Sequence, residues 1–504
     1  MSVGHRRLIG VAAVALGVAS ASALLMLGAS PGLTLVPVAI GALVALVAVP
    51  FPEADVWLAF ALVGTFPLLP PSPLPNLPLA AAVLVVAAVR LWRDGARVGR
   101  SAVLALIGLW LPLVIGTAIS HWPAPSVWFR PASLLAIAAL ASAVGVLVWS
   151  DGSRRERWID GLAAGMVVVT VTAIVVFAAQ YVFPISGIVD GVVNLIGYVR
   201  GDAAAAKFTN QNNWVIYGQG GLTLRAISPL FPAPNNVGAY IGAVAPVLAA
   251  GWLATSRRSS GILRLAAVML AVIALLLTIS RSSWLGGVAA LIVAASLALG
   301  RPEVRKRIVR ANARRLGGAA IAIVLAGLLG AAGVASISHQ GVENRLTKPL
   351  DDPSVTTRLV IDRGALTAFG SDLIRGAGLG NWESSFPVKT GRAYVHNAFL
   401  EYGLAAGVLG AMWAALLVLI PLIAGAWTVL RGAVGTATIY GLGFAAIATF
   451  TATQFLFDDN LLNPQYAWLL TLAIGGAIAV ATTTPRVGRA LPRDSARRVG
   501  RVTA

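Results

Sequence analysis

The chain has 504 residues, of which 58% are hydrophobic and only 11% charged, where a soluble globular domain carries about 25% charged residues. That much apolar surface cannot hide in one core beneath a polar shell, so a soluble globular fold is excluded and lipid is the expected surroundings. Cysteine is absent, which removes disulfides, a thiolate nucleophile and a Cys-based zinc site. A net charge of +19 would suggest nucleic acid in a soluble protein. Here the basic residues fall in short clusters between apolar runs, where they set topology, and no nucleic-acid partner is expected.

In chain order, apolar runs occur at 8–28, 32–50, 55–70, 78–92, 101–119, 131–149, 159–183, 236–254, 262–279, 283–300, 316–336, 396–424, 434–456 and 465–483. A span needs about 20 residues; the third and fourth runs are short and flanked by proline. The expected fold is an all-α polytopic integral membrane protein of about 14 transmembrane helices, within a range of about 12–14. It divides into N-terminal transmembrane helices (1–183), a first long extracytoplasmic loop (184–235), central helices (236–336), a second long loop (337–395), C-terminal helices (396–484) and a basic tail (485–504).

Orientation follows from Lys and Arg. One set of alternate loops carries 26 of the 38, from Arg6 and Arg7 through the run Arg301–Arg315 to the arginines of the tail. The short loops on the other side carry only Arg130 and Arg281. The positive-inside rule therefore predicts both termini in the cytoplasm. A cleaved signal peptide ending near Ala21-Ser22-Ala23 is the alternative for the first run, and it would break the alternation downstream. The tail reads as a disordered end in contact with membrane lipids. Both long loops are too polar to span and too long to be connectors, which predicts a functional surface facing outward. Within the second loop, 354–374 reads as an amphipathic helix with Leu359, Leu366, Phe369 and Leu373 on one stripe and Arg358 paired four residues from Asp362, suited to lie along a membrane surface.

The candidate residues lie at the outer boundary. Arg281 sits in Ser280-Arg281-Ser282-Ser283-Trp284, between two spans with almost no loop. An arginine at mid-membrane costs roughly 2.5–3.5 kcal/mol, less near the interface. It reads either as an anion clamp, since guanidinium matches phosphate oxygens, or as an arginine snorkelling to headgroups. Arg225 precedes Pro234-Asn235-Asn236 by nine residues. His396 opens the span after the second long loop, followed by Asn397 and Glu401. An imidazole can take a proton from a hydroxyl near neutral pH; a His that hydrogen-bonds a helix start is the other reading. Gly376, Gly378 and Gly380 lack a following strand–helix unit and read as a turn rather than a phosphate loop. Asp458-Asp459-Asn460 reads as a solvated loop. Trp122, Trp128, Trp214 and Trp382 suit an interfacial belt.

His396-Asn397, nine residues, then Gly407-Val408-Leu409-Gly410 resembles the His-[Asn/Ser/Gln]-x9-Gly-x-x-[Gly/Thr/Tyr] signature of the O-antigen ligase family. Arg375-Gly376-Ala377-Gly378-Leu379-Gly380 looks like the family's Gly-rich stretch. Thr357-Arg358-Leu359, Ser280-Arg281-Ser282-Ser283-Trp284-Leu285-Gly286, and Arg225 with Pro234-Asn235 resemble three further elements, all in the family's order over about 225–410. Together they are specific for the ligase/polymerase superfamily and not for one member.

The resemblance implies transfer of a glycan from a polyprenyl diphosphate donor, on the outer face of the membrane, to an acceptor hydroxyl on a glycan, lipid or protein. Arg225 and Arg281 would hold the diphosphate, His396 would activate or orient the acceptor, and Arg358, Asn397 and Glu401 are secondary candidates. Neither cofactor nor metal is implied, because the lipid donor is already activated. A polymerase that joins repeat units on the carrier shares these motifs. A transporter or flippase is the alternative from another class. It would need ionisable residues at mid-membrane, whereas the predicted spans are nearly free of charge.

Overall fold

The computed structural model describes residues 54–65, 73–122, 124–179, 194, 216–217, 224–225, 234–278, 280–306, 308–309, 324–332, 353–380, 395–457, 461 and 464–484. The predicted spans at 8–28 and 32–50, the tail, most of both long loops, and His5, His339, Trp214, Trp382 and Asp458-Asp459-Asn460 lie outside these residues. The chain builds α1 (Ala54–Phe60), which runs into a π-helical turn (Ala61–Thr65), then α2 (Pro73–Arg93), α3 (Arg100–Ile119), α4 (Pro125–Trp149) and α5 (Gly152–Ala179). Two two-residue strands follow, β1 (Ile216–Tyr217) and β2 (Leu224–Arg225), paired antiparallel. Then come α6 (Pro234–Ala254), α7 (Arg258–Leu277), α8 (Arg281–Leu299), α9 (Pro353–Ser371), α10 (Ala398–Arg431), α11 (Thr436–Phe457) and α12 (Pro464–Thr483).

Among the described residues, 9 helices are long and apolar enough to cross a membrane: α3 to α8 and α10 to α12. They coincide with nine of the predicted apolar runs. Helix α9 is not among them, as its polar sequence predicts. The bundle is built around α11 and α12. In α12, 83% of the most apolar window is buried inside the protein, against 22% in α8 at the periphery. Helix α11 packs on α10, α8 and α6, and α12 on α4. Small residues permit the closest approach. A Cβ at Gly145 would strike the Leu472 carbonyl, and one at Gly475 the Ser142 carbonyl, so α4 and α12 meet backbone to backbone, as helices do in lipid. Rings fill the wider gaps, with Trp149 edge-on to Tyr440 and Phe444 at 5.0 and 4.9 Å.

Most of the described basic residues gather where α4, α6, α8 and α10 end and α5, α7 and α11 begin. There Arg264, with no exposed surface, lies between Glu156 at 2.8 Å and Asp160 at 2.7 Å and donates to the Gly251 carbonyl at 2.9 Å. Tyr440 donates to Glu156 at 2.8 Å and Ser260 to Asp160 at 2.9 Å. In the sequence Arg264 is one more basic residue beside a short loop of the arginine-rich side. The structure places it in an ionic lock that joins α5, α6, α7 and α11. Nearby, Arg157 pairs with Asp55 at 2.9 Å, and Arg301 donates to the carbonyls of Val429 and Gly432.

Helix α10 departs from the reading of 396–424 as one span. Its 34 residues would make a straight rod of about 51 Å, far beyond the ~30 Å of hydrocarbon. The rod is broken at Ala406 and Gly407, where Gly407 has φ +64°. Tyr402 and Trp413 lie on opposite sides of the break with ring centroids 4.8 Å apart; eleven residues of straight helix would separate them by about 16 Å. The segment Ala398–Ala405 therefore folds back against the span, and 408–431 alone is long enough to cross.

Candidate active site

The opposite end of the bundle collects the motif residues, and most of each motif is used to build a turn. Between α7 and α8 only three residues intervene. Ser280 is the N-cap of α8 and accepts from the Ser283 N–H at 3.4 Å and its hydroxyl at 2.9 Å; serine suits this position because its side chain satisfies an orphan helix N–H. The Trp284 indole donates to the Leu275 carbonyl at 3.0 Å, tying α8 back to α7. Gly286 lets the Phe450 ring approach, within 3.1 Å of where a Cβ would stand. Arg281 is the cation of this motif. It opens α8 half-buried. Gln454, near the end of α11, donates to Ser283 at 3.3 Å. A Cβ at Gly238 would collide with Ser283, so the start of α6, which carries Pro234-Asn235, packs onto the same turn.

The His motif is built in the same way. Asn397 is the N-cap of α10, its Oδ1 accepting from Phe399 and Leu400 N–H at 3.0 and 3.2 Å. His396 stands just before the cap and is buried, with 8% of its surface exposed. Glu401 is buried one turn on, in the first turn of α10. At the break, Gly407 passes so close to the Ile374 carbonyl that no Cβ fits, and Gly410 accommodates the Tyr402 carbonyl. The nine-residue spacing is thus one short half-helix followed by the glycine at which it ends.

The Gly-rich stretch splints that break. Ala377 N–H donates to the Leu404 carbonyl at 2.7 Å and Gly378 N–H to the Ala405 carbonyl at 2.9 Å, while Val408 N–H reaches back to the Leu373 carbonyl at 2.7 Å. Gly376, Gly378 and Gly380 have φ of +68°, +95° and +77°, a region open to glycine alone at little cost. Two of the loop's N–H groups are spent on α10, so the stretch is a turn, as expected, and not a phosphate cradle.

Helix α9 lies over the half-helix. Ala365, Val395 and Leu404 form a small core with Ala368, Phe369 and Leu400, and Phe369 sits on Gly403. Leu359, Leu366 and Leu373 face away, at 60%, 58% and 50% exposure. The predicted stripe therefore loses Phe369 to the packed face, because 369 lies at the edge of the stripe, roughly 40–80° around the helix from the three leucines and toward Ala365. On that packed face, Asp362 accepts the His396 backbone N–H, with Arg358 one turn before it. Arg358 donates to the Phe457 carbonyl at 2.8 Å, and Phe399 meets Phe455 at 5.8 Å. The last turn of α11 is thus touched by α8, α9 and α10. Arg281, Arg358, His396, Asn397 and Glu401 share one end of the bundle. Arg225 lies in β2 opposite Ile216. Among the described residues, no three His or acidic side chains are grouped to hold a metal ion.

Sequence reasoning missed Asp362 as a neighbour of His396 and Gln454 as the anchor of the Arg281 turn. Asp362 is the one acid of α9 and falls on the same face as Ile361, Ala365 and Phe369. An acid on a helix face that otherwise packs is a signal, one obscured here by its plausible pairing with Arg358.

This architecture defines a multi-pass membrane protein whose chemistry-bearing side chains sit at one end of the bundle, where an imidazole can move a proton and guanidinium groups can hold an anion. Residues 266–415 match the family model described as O-antigen ligase. The match runs from within α7 past the break in α10, taking in Arg281, Arg358 and His396 but not Arg225, and covers under a third of the chain. It supports an O-antigen ligase-like family and an enzyme of the membrane ligase or polymerase type acting on glycans. No curated protein matches the chain.

Proposed function

We propose that the protein transfers a glycan from a polyprenyl diphosphate donor to an acceptor hydroxyl at the outer face of the cytoplasmic membrane. In this reading both termini are cytoplasmic and segments 184–235 and 337–395 are extracytoplasmic. The observation that carries it is the gathering of His396, Arg281 and Arg358 around the last turn of α11, inside the matched region and at the end opposite the arginine-rich one. The acceptor oxygen bonds to the sugar carbon as that carbon's bond to the diphosphate breaks, and the hydroxyl proton passes to His396. The leaving diphosphate gains charge, which Arg281, with Arg225 from the preceding loop, stabilises; preorganised cations are worth most where charge develops. Arg358, Asn397 and Glu401 support the site rather than react.

Substituting His396→Ala or Arg281→Ala is expected to abolish transfer while membrane insertion stays normal. The size of glycans held on the polyprenyl carrier in cells lacking the gene separates two reactions. Long chains stranded on the carrier mean a ligase. Single repeat units with none joined mean a polymerase. An unchanged profile rules out both.

A further inference from the structure

Asp362 is placed where a carboxylate is expensive. It is half-buried on the face of α9 that packs on α10, and its Oδ1 has no hydrogen-bond partner among the described residues. Its carboxylate accepts the backbone N–H of His396. The charged or titratable groups around it are Arg358 from its own helix and His396 just before the α10 cap, with Glu401 buried in the first turn of α10. From α11 the Phe457 carbonyl reaches this group through Arg358.

We infer that Asp362 is a positioning residue for His396, holding its backbone just before the α10 cap and setting a negative charge beside its imidazole. The inference rests on the proposed role of His396. When the acceptor proton arrives on that imidazole, the site then carries a carboxylate and a cation that balance each other. Asp362 takes no proton itself; it orients the base and stabilises the charge formed, as the third member of a nucleophile–base–acid triad does. Burial pushes its carboxyl above the ordinary range, while His396 and Arg358 pull it back, so the group is kept at a cost to stability, which is common at sites of function.

The test uses full-length variants in membranes of cells lacking the gene, with the carrier-linked glycan that accumulates there as donor. Asp362→Asn is expected to lower kcat by roughly 10- to 100-fold, the scale on which removing the partner of a functional group acts, with KM for the donor unchanged. The pH–rate profile should change, since a charged neighbour of the site has been removed. The melting temperature in detergent should stay level or rise, and Asp362→Glu should recover part of the rate. An unchanged kcat and pH profile in Asp362→Asn overturns the inference, and so does a rate loss that tracks a lowered melting temperature. His396→Ala is measured alongside. Retained transfer there defeats the reading of His396 itself, whereas loss there with an unaltered Asp362→Asn defeats this inference alone.

Discussion

His396 and Arg281 each follow a residue with a structural duty or precede one, and that division of labour explains their motifs. Asn397 caps α10 and Ser280 caps α8; removing such a cap costs about 1 kcal/mol. The side chain proposed to act sits immediately beside the cap, where the backbone is best fixed. Asp362 behaves differently, and its pH dependence has a definite sign. Its folded carboxyl is raised, chiefly by burial. Its contribution to stability is therefore complete below the ordinary carboxylate range and is lost as pH rises through the raised value. Thermal unfolding of wild type and Asp362→Asn across pH 4 to 7 should show the variant gaining on wild type as pH rises. A constant difference would mean that the carboxyl is not raised. His396 and Arg281 were legible because their motifs are local in sequence. Asp362 was not, since its partner lies on another helix and nothing near residue 362 announces it.

Helix α10 shows what hydropathy cannot register. The stretch from 396 to 424 is apolar apart from His396, Asn397 and Glu401, so it reads as one span. The break depends on two glycines and on carbonyls satisfied from a loop far upstream, and none of these alters the apolar pattern. Gly407→Ala is expected to destabilise by about 1–3 kcal/mol from its positive φ alone, with a further loss from contact with the Ile374 carbonyl. Transfer activity should fall with it, and a lowered melting temperature in detergent checks the first part. A variant as stable and active as wild type would show that the break is dispensable. Helix α9 was legible as an element, while the division of its apolar residues between a packed and an exposed face was set by the half-helix beneath it.

Across the whole molecule, alternation of arginine clusters predicts which helix ends lie together, and the described ends do gather in that way. The ionic lock at the basic end was not legible, because Glu156 and Asp160 precede Arg264 by more than a hundred residues. Replacing Arg264 with Leu leaves two carboxylates facing a packed interior. Breaking a buried pair in this way costs about 3–5 kcal/mol, and the partial exposure of Glu156 and Asp160, at 26% and 21%, favours the lower end. Reduced yield of folded protein and a lower melting temperature measure it; an unchanged melting temperature would mean that the lock contributes little.

The splinted break also sets an order of assembly. The first half of α10 borrows N–H groups from Ala377 and Gly378, and it rests on Phe455 of α11, a helix still unmade when α10 leaves the ribosome. The packing beside His396 therefore cannot be completed while α10 alone is inserted. It is completed only after α11 has crossed, so a chain cut short before residue 457 would hold every candidate side chain and still lack the site.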